Sequence, residues 1–481
     1  MNPFHISTGS DHLRNPIVIG IVFISTIFLG YALAIGGYIT FGVVIAMPIL
    51  FYAFYRLILK PELGVTFALI LNFFVIGISR YIPIKLGYLM DITLIGIYIA
   101  MFFHYYDKKI DLRPANTDLT YLAIVWFSYI FLELFNPEAL NKTAWFASMR
   151  GIGFYFVLMI PLIQLLYNQP KFLDRFLKIW GVISVFASLK AWGQLNIGTD
   201  RWEQKWLDEV GGTTHVLWGN LRAFSFFSDA GQFGTAQGQM MIVAFILLMN
   251  TKKLKTRLFW FVVMIASYYG MSSSGTRGAV FVPLAGGALY MVIKKNVKVL
   301  LIGGIALVMI FSFFRYTTIG NSNYQIYRMR TAFTPEDDAS FQVRIKNQAI
   351  FEDYLKSRPF GGGIGHAGER AKTYTGETFL SNVATDSWYV LIWAESGIVG
   401  LFLYMFIIGW IIGKGTYICM FQLKDHDLWV KSTALLCGFF GIVFASYGNT
   451  ILGQFPTGLI VYSSMAYIFM APSWEAKYAA K

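Results

Sequence analysis

Apolar runs of spanning or near-spanning length recur along the whole chain. They start near Pro16, Tyr38, Gly64, Leu86, Leu119, Gly153, Phe176, Gly231, Leu258, Ala279, Val299, Ser387, Ser432 and Ile451. Because a helix needs about 20 apolar residues to cross a bilayer, these runs predict about fourteen transmembrane helices, some of them short or tilted. Of the 481 residues, 56% are hydrophobic and only 14% charged. A soluble domain cannot bury that much apolar surface. The expected fold is an all-α polytopic membrane protein, one integral domain over residues 1–481 without an evident repeat. Aromatic residues, 18% of the chain, suit interfacial belts as well as helix packing.

The net charge of +13 at first suggests a nucleic-acid partner, but its distribution points to the lipid bilayer. With the N-terminus inside, the inner connections carry Arg56 and Lys60; Lys108, Lys109 and Arg113; and Lys171, Arg175 and Lys178. Further along they carry Lys252, Lys253, Lys255 and Arg257; Lys294, Lys295 and Lys298; and Lys414, Lys424 and Lys431. Every even-numbered crossing is followed by a basic loop, the positive-inside pattern, which places both termini in the cytoplasm. The polar start MNPFHISTGSDHLRN lacks a short hydrophobic core and cleavage site, so it reads as a cytoplasmic tail. Cys419 and Cys437 fall at or near a cytoplasmic loop and fit neither a disulfide framework nor a metal-binding spacing.

Three outer connections carry arginine where short loops usually lack it: residues 196–230, residues 272–278, and the long polar insertion from Arg315 to Asp386. Within the insertion, DDASFQVRIKNQAIFEDYLKSRP predicts one amphipathic helix. Asp338 or Ser340 can cap its start, Phe341, Ile345, Ala349 and Tyr354 fall at helical spacing, and Pro359 with Gly361 to Gly363 stops it. Such a helix can lie on the membrane surface or cover a cavity.

Four constellations are candidates for chemistry. In LRAFSFFSDAGQFG, Arg222 precedes a span with Ser228, Asp229 and Gln232 at its mouth; it either snorkels to headgroups or holds a phosphate, whose oxygens suit its planar fork. In SSSGTRGA, Arg277 sits in a tight small-residue turn, where a charge this close to hydrocarbon needs a partner. The turn lacks P-loop spacing. Arg344 lies on the loop helix ahead of RPFGGGIGHAG, whose His366 is either incidental or a base. In TDSWYVLIWAESGIVGLF, Asp386 is either a helix N-cap or a carboxylate that accepts a proton from a sugar hydroxyl, and the deeper Glu395 reads as a packing or hydrogen-bonding group.

The ordered set RAFSFF, SSGTRGA, FQVRIKNQAIF, RPFGGGIG and TDSWYVLIWAESGIVGLF, over roughly Arg222 to Gly400, resembles the O-antigen ligase and polymerase superfamily. The resemblance implies a GT-C-like membrane glycosyltransferase. Such an enzyme takes a glycan from undecaprenyl diphosphate on the periplasmic side of the bacterial inner membrane and passes it to an acceptor hydroxyl, with inversion and without a metal or other cofactor. It also implies that Arg222 and Arg277 hold the diphosphate and that Arg344 matches the family's loop arginine. The resembling ligases typically carry histidine where this chain has Asp386. The acid can take over proton acceptance, or His366 can reach in, and the difference leans the reading toward a polymerase that extends a glycan, with a ligase acting on lipid A core as the alternative. A lipid-linked oligosaccharide flippase is the competing class, but its halves would be related and its site near the midplane. Here the arginines gather at one face.

Overall fold

The computed structural model describes residues 16–82, 86–107, 110–334 and 339–479. Lys108, Lys109 and the cap candidate Asp338 lie outside the described residues, as does the polar N-terminal tail. The chain divides into two units, Met1–Leu63 and Gly64–Lys481.

The first unit is dominated by one helix, α1 (Pro16–Leu59), 44 residues long with Pro48 inside it. Separate spans were expected from Pro16 and Tyr38, but no turn divides them. At 1.5 Å per residue the helix is roughly 66 Å long, about twice the hydrocarbon thickness. Pro61 then opens α2 (Pro61–Ile78), at the helix position where a missing N–H costs nothing.

The second unit continues through α3 (Gly87–Tyr106), α4 (Asp118–Leu132), α5 (Lys142–Met149), α6 (Tyr155–Leu166), α7 (Pro170–Asn196), α8 (Ala230–Asn250) and α9 (Leu254–Ser273). Beyond these come α10 (Phe281–Ile293), α11 (Val297–Tyr316), α12 (Ala339–Leu355), α13 (Trp388–Tyr417), α14 (His426–Ala445) and α15 (Thr457–Ala479). A wide turn over Arg150–Phe154 joins α5 to α6. Each later apolar run has its helix close to the expected start, and several starts are set by side chains that accept a backbone N–H: Thr117 for α4, Asp229 for α8, Asn296 for α11 and Asp425 for α14. Among the described residues, eight helical segments are long and apolar enough to cross a membrane, and the strands are one two-residue pair, Val216–Leu217 with Asn220–Leu221. The protein is therefore an all-helical, multi-pass membrane protein.

The core forms where α8 packs on α9, α14 and α10, while α7 backs α9 and α15 lies against α6 and α14. The small residues Gly238, Gly286, Gly438 and Gly441 sit at these contacts, and a Cβ at Gly286 would meet the Cys437 carbonyl at 2.6 Å. Close approach at small residues is how helices associate when lipid supplies no hydrophobic drive between them. No residue of α11 is buried, as befits a helix solvated by acyl chains.

The insertion folds largely as helix. After α11 come a short helix Tyr324–Arg330, then α12, the glycine loop, and two single turns, Lys372–Thr375 and Phe379–Asn382. The predicted amphipathic helix is present as α12, but with a different inner face. Ile345 and Ala349 are exposed, whereas Phe351 and Leu355 are buried against Ala367, Leu380 and Ala394, and Arg344 is turned partly inward. Ser340 lies inside α12.

The glycine loop docks on α13 at a break in that helix. Gly397 has φ +66°, and an added Cβ would meet the Pro359 carbonyl oxygen at 2.0 Å. Gly361, at φ +76°, fits against Gly397 from the other side. The break frees carbonyls of α13 that the loop then satisfies: Gly362 N–H donates to Ala394 O (2.9 Å) and Gly363 N–H to Glu395 O (3.0 Å). Irregular backbone in a membrane helix persists where protein re-satisfies it in this way.

Candidate functional site

Arg222 leaves the short strand pair and meets the turn at the end of α9. Its Nε donates to Ser274 O (3.1 Å), Nη1 to Thr214 O (2.8 Å) and Nη2 to Thr276 Oγ1 (3.0 Å). Gly275, at φ +56°, lets the turn pass close beneath the Arg222 side chain. From the insertion, Arg328 Nε donates to Gly275 O (3.2 Å) and its guanidinium lies 5.6 Å from the Trp218 ring centroid. Burial, and after it the charge of Arg328, push the Arg222 pKa down to about 10, with Arg277 acting in the same direction. Arg222, Arg277 and Arg328 thus converge on one turn and repel one another. Asp229 offsets part of this charge, but its carboxylate also caps α8 through Gln232 N–H (2.9 Å) and accepts from Ser228 Oγ (2.8 Å).

A cavity of 660 Å³ with mixed polar and apolar walls lies behind the segments packed on the turn, and the three arginines are not part of its lining. Gly278 sits against the Asn449 side-chain nitrogen, where a Cβ would come within 2.7 Å, and Gln232 Nε2 donates to the carbonyls of Thr450 (3.3 Å) and Ile451 (3.2 Å). Ser228 and Thr450 line the cavity, so the segments that touch the arginine turn also form its wall.

Asp386 lies in the cavity lining with a side chain 46% exposed. It does not cap α13. Ser387 holds the N-cap position, and the first helical N–H, that of Trp388, donates to Ser446 O (3.0 Å). Arg344 Nε stands 3.7 Å from Asp386 Oδ2, an ion pair without a hydrogen bond. The structure therefore gathers the expected residues into two neighbouring groups, Arg222 with Arg277 at the turn and Arg344 with Asp386 at the cavity.

His366 is placed differently. It is buried, its Nε2 accepts the Asn141 N–H (3.1 Å), and its Nδ1 faces Ile364 O (3.1 Å). Burial lowers its pKa, which favours a neutral ring protonated on Nδ1. Both nitrogens are committed to backbone, so the ring fastens the glycine loop to the start of α5. Glu395 is 2% exposed and lines the cavity beneath Asp386.

Two arginines escape sequence reasoning. Arg328 is one of several basic residues in the insertion and carries no local signal beyond the pair Arg328 and Arg330. Arg80 lies between the rings of Trp206 (4.4 Å) and Phe224 (4.6 Å) and donates to the carbonyls of Ser225, Phe227 and Ser228, clamping the segment that follows Arg222. Among the described residues, no three His, Cys, Asp or Glu side chains form a metal cage.

The arginine turn and the cavity are both held by a multi-pass helical scaffold. Residues 262–405 match the family model described as O-Antigen ligase, and that similarity associates the chain with membrane glycan transfer. The matched segment contains Arg277, Arg328, Arg344, His366, Asp386 and Glu395, and it leaves Arg222 outside. No curated protein matches the chain.

Proposed function

We propose that this protein is a metal-independent inverting glycosyltransferase of the bacterial inner membrane. It moves a glycan from undecaprenyl diphosphate to an acceptor hydroxyl on the periplasmic face. The observation that carries the reading is the convergence of Arg222, Arg277 and Arg328 on one turn, whose neighbouring segments supply Ser228 and Thr450 to the cavity that holds Asp386.

In the proposed reaction the acceptor oxygen attacks the anomeric carbon from the face opposite the diphosphate. The bond from that carbon to the phosphate oxygen breaks, its electron pair stays on undecaprenyl diphosphate, and the acceptor proton passes to Asp386. The arginines stabilise charge as it develops on the leaving oxygen, the largest contribution a preorganised site makes. They fill the place of a divalent cation, and their planar forks match phosphate oxygens. Arg344 orients the Asp386 carboxylate and closes the site from α12, while His366 acts through the loop it anchors.

An acid at 386 in place of the ligases' histidine favours a polymerase that adds the donor glycan to a growing chain; transfer to lipid A core is the ligase reading. The basic connections put the C-terminus in the cytoplasm. A cytoplasmic N-terminus rests on a turn near Tyr38 that α1 lacks, so we propose orientation for the C-terminus alone.

Purified protein in nanodiscs, supplied with lipid-linked glycan, tests the reading. Arg277→Ala and Arg328→Ala are expected to lower transfer by about 10²–10³ while the protein stays folded, and Asp386→Asn by about 10²–10⁴. His366→Ala is expected to retain more activity than Asp386→Asn. Full transfer by Arg277→Ala overturns the arginine assignment, and an active Asp386→Asn moves the base elsewhere. Movement of intact donor without glycosidic bond formation would make the protein an exporter. A ladder of repeats identifies a polymerase, and a single transfer to a distinct acceptor identifies a ligase.

A further inference from the structure

Besides Asp386 and Glu369, the cavity lining holds Glu395, an acid that the proposed reaction does not use. Glu395 lies two residues before the α13 break at Gly397, where its carbonyl receives the Gly363 N–H (3.0 Å) and its Oε1 receives the Ala367 N–H (3.4 Å). Its Oε2 is buried and makes no hydrogen bond to any described residue, although the side chain lines the cavity. A buried side-chain oxygen without a hydrogen-bond partner is costly, and the loop is held through the other oxygen. The surrounding walls narrow the class of ligand. Tyr155, Trp388 and Phe455 supply aromatic surface, and Tyr155 Oη is already spent on Asp91 (2.6 Å). Arg150 also lines the cavity and is ion-paired with Asp91 (2.8 Å), and Arg370 stands exposed at the rim. Asp386 and the exposed Glu369 disfavour a phosphate here, whereas a ligand with hydroxyl groups and apolar ring faces suits the acids and the aromatics.

We propose that this cavity is a carbohydrate-binding site in which Glu395 Oε2 accepts a hydrogen bond from a sugar hydroxyl. Resting on the glycan-transfer reading above, the bound sugar is the acceptor. Glu395 grips a hydroxyl other than the attacking one and so decides which hydroxyl reaches Asp386. It is a binding and specificity residue, and no bond is made or broken at it.

The test uses full-length protein in nanodiscs with three probes: the methyl β-glycosides of glucose, galactose and N-acetylglucosamine. Binding is followed by saturation-transfer NMR and calorimetry. The wild type is expected to bind at least one of them. Glu395→Gln keeps the side-chain size and the acceptor for Ala367, and it is expected to weaken that binding at least fivefold with an unchanged unfolding temperature. Should that variant misfold, single-deoxy forms of the bound glycoside probe the same contact on the wild type, and one position is expected to lose at least fivefold. In the transfer assay, Glu395→Gln is expected to raise the acceptor KM at least fivefold and leave the donor KM unchanged. Equal binding by wild type and Gln variant, binding insensitive to every deoxy change, or no binding of any probe overturns the proposal. The two readings separate cleanly. Loss of sugar binding in the variant, with no glycosidic bond made by wild type, removes the transfer reading and keeps the site; unaltered transfer and binding in the variant does the reverse.

Discussion

His366 reads in sequence as either incidental or a base, and in the structure both of its ring nitrogens face backbone groups. A histidine in a glycine run, a short distance before an acid, has the composition of an active-site loop, yet its two nitrogens are taken by Asn141 and Ile364. Its depressed pKa has a signed consequence. The unfolded ring, with an ordinary pKa near 6.5, binds a proton more readily than the buried one, so the stability His366 contributes is present above about pH 6.5 and is lost as pH falls through the folded value. Limited proteolysis of the glycine loop should therefore accelerate between about pH 7 and 5, and His366→Gln should flatten that dependence. A loop equally resistant across this range would remove His366 from its anchoring role. Arg222 and Arg277 stand out in the sequence because each sits beside an apolar run. Arg328 does not, because the insertion carries nine Lys and Arg against eight acids and nothing local distinguishes one of them.

Among the elements, the pair formed by the glycine loop and broken helix α13 is the most sharply constrained. Gly397 needs a left-handed backbone and the space of an absent Cβ, since Pro359 O would lie 2.0 Å from that carbon. Gly397→Ala is expected to cost about 2–4 kcal/mol, from roughly 1–2 kcal/mol of backbone strain plus the displacement of the loop. Thermal unfolding in detergent gives the magnitude, and a ΔΔG below about 0.5 kcal/mol, the range of an ordinary surface substitution, would mean that the loop does not depend on this contact. The elements themselves were legible where the signal is local. Apolar length marks the spans, and α12 announces itself by its caps and periodicity. Its inner face was not legible, because Phe351 and Leu355 are buried only by virtue of Leu380 and Ala394 arriving from elsewhere in the chain.

For the whole molecule, hydropathy and basic loops fix the architecture, while the meeting of separate segments fixes the site. Arg222, Arg277 and Arg328 come from three connections far apart in sequence, and no window along the chain contains them all. Orientation can be checked directly. Cys419 and Cys437 are both buried and give little background labelling. A cysteine at Ser322 should react with an impermeant maleimide from the periplasmic side and one at Lys253 only after permeabilisation, both positions being exposed. The opposite pattern would invert the topology and put the arginine turn in the cytoplasm. One departure from sequence expectation, α1 as a single helix, arises because an apolar run shows that a helix is favoured and says little about where it must turn.

The arginine turn bears on turnover as well as on catalysis. In the proposed reaction, departure of the glycan converts a twice-substituted diphosphate into a singly substituted one, which carries more negative charge. Guanidiniums that repel one another at rest therefore hold the spent carrier more firmly than the loaded one. In that proposed cycle the same charges that hasten bond cleavage would make release of the lipid the slow stage, and accumulated undecaprenyl diphosphate would compete with fresh donor.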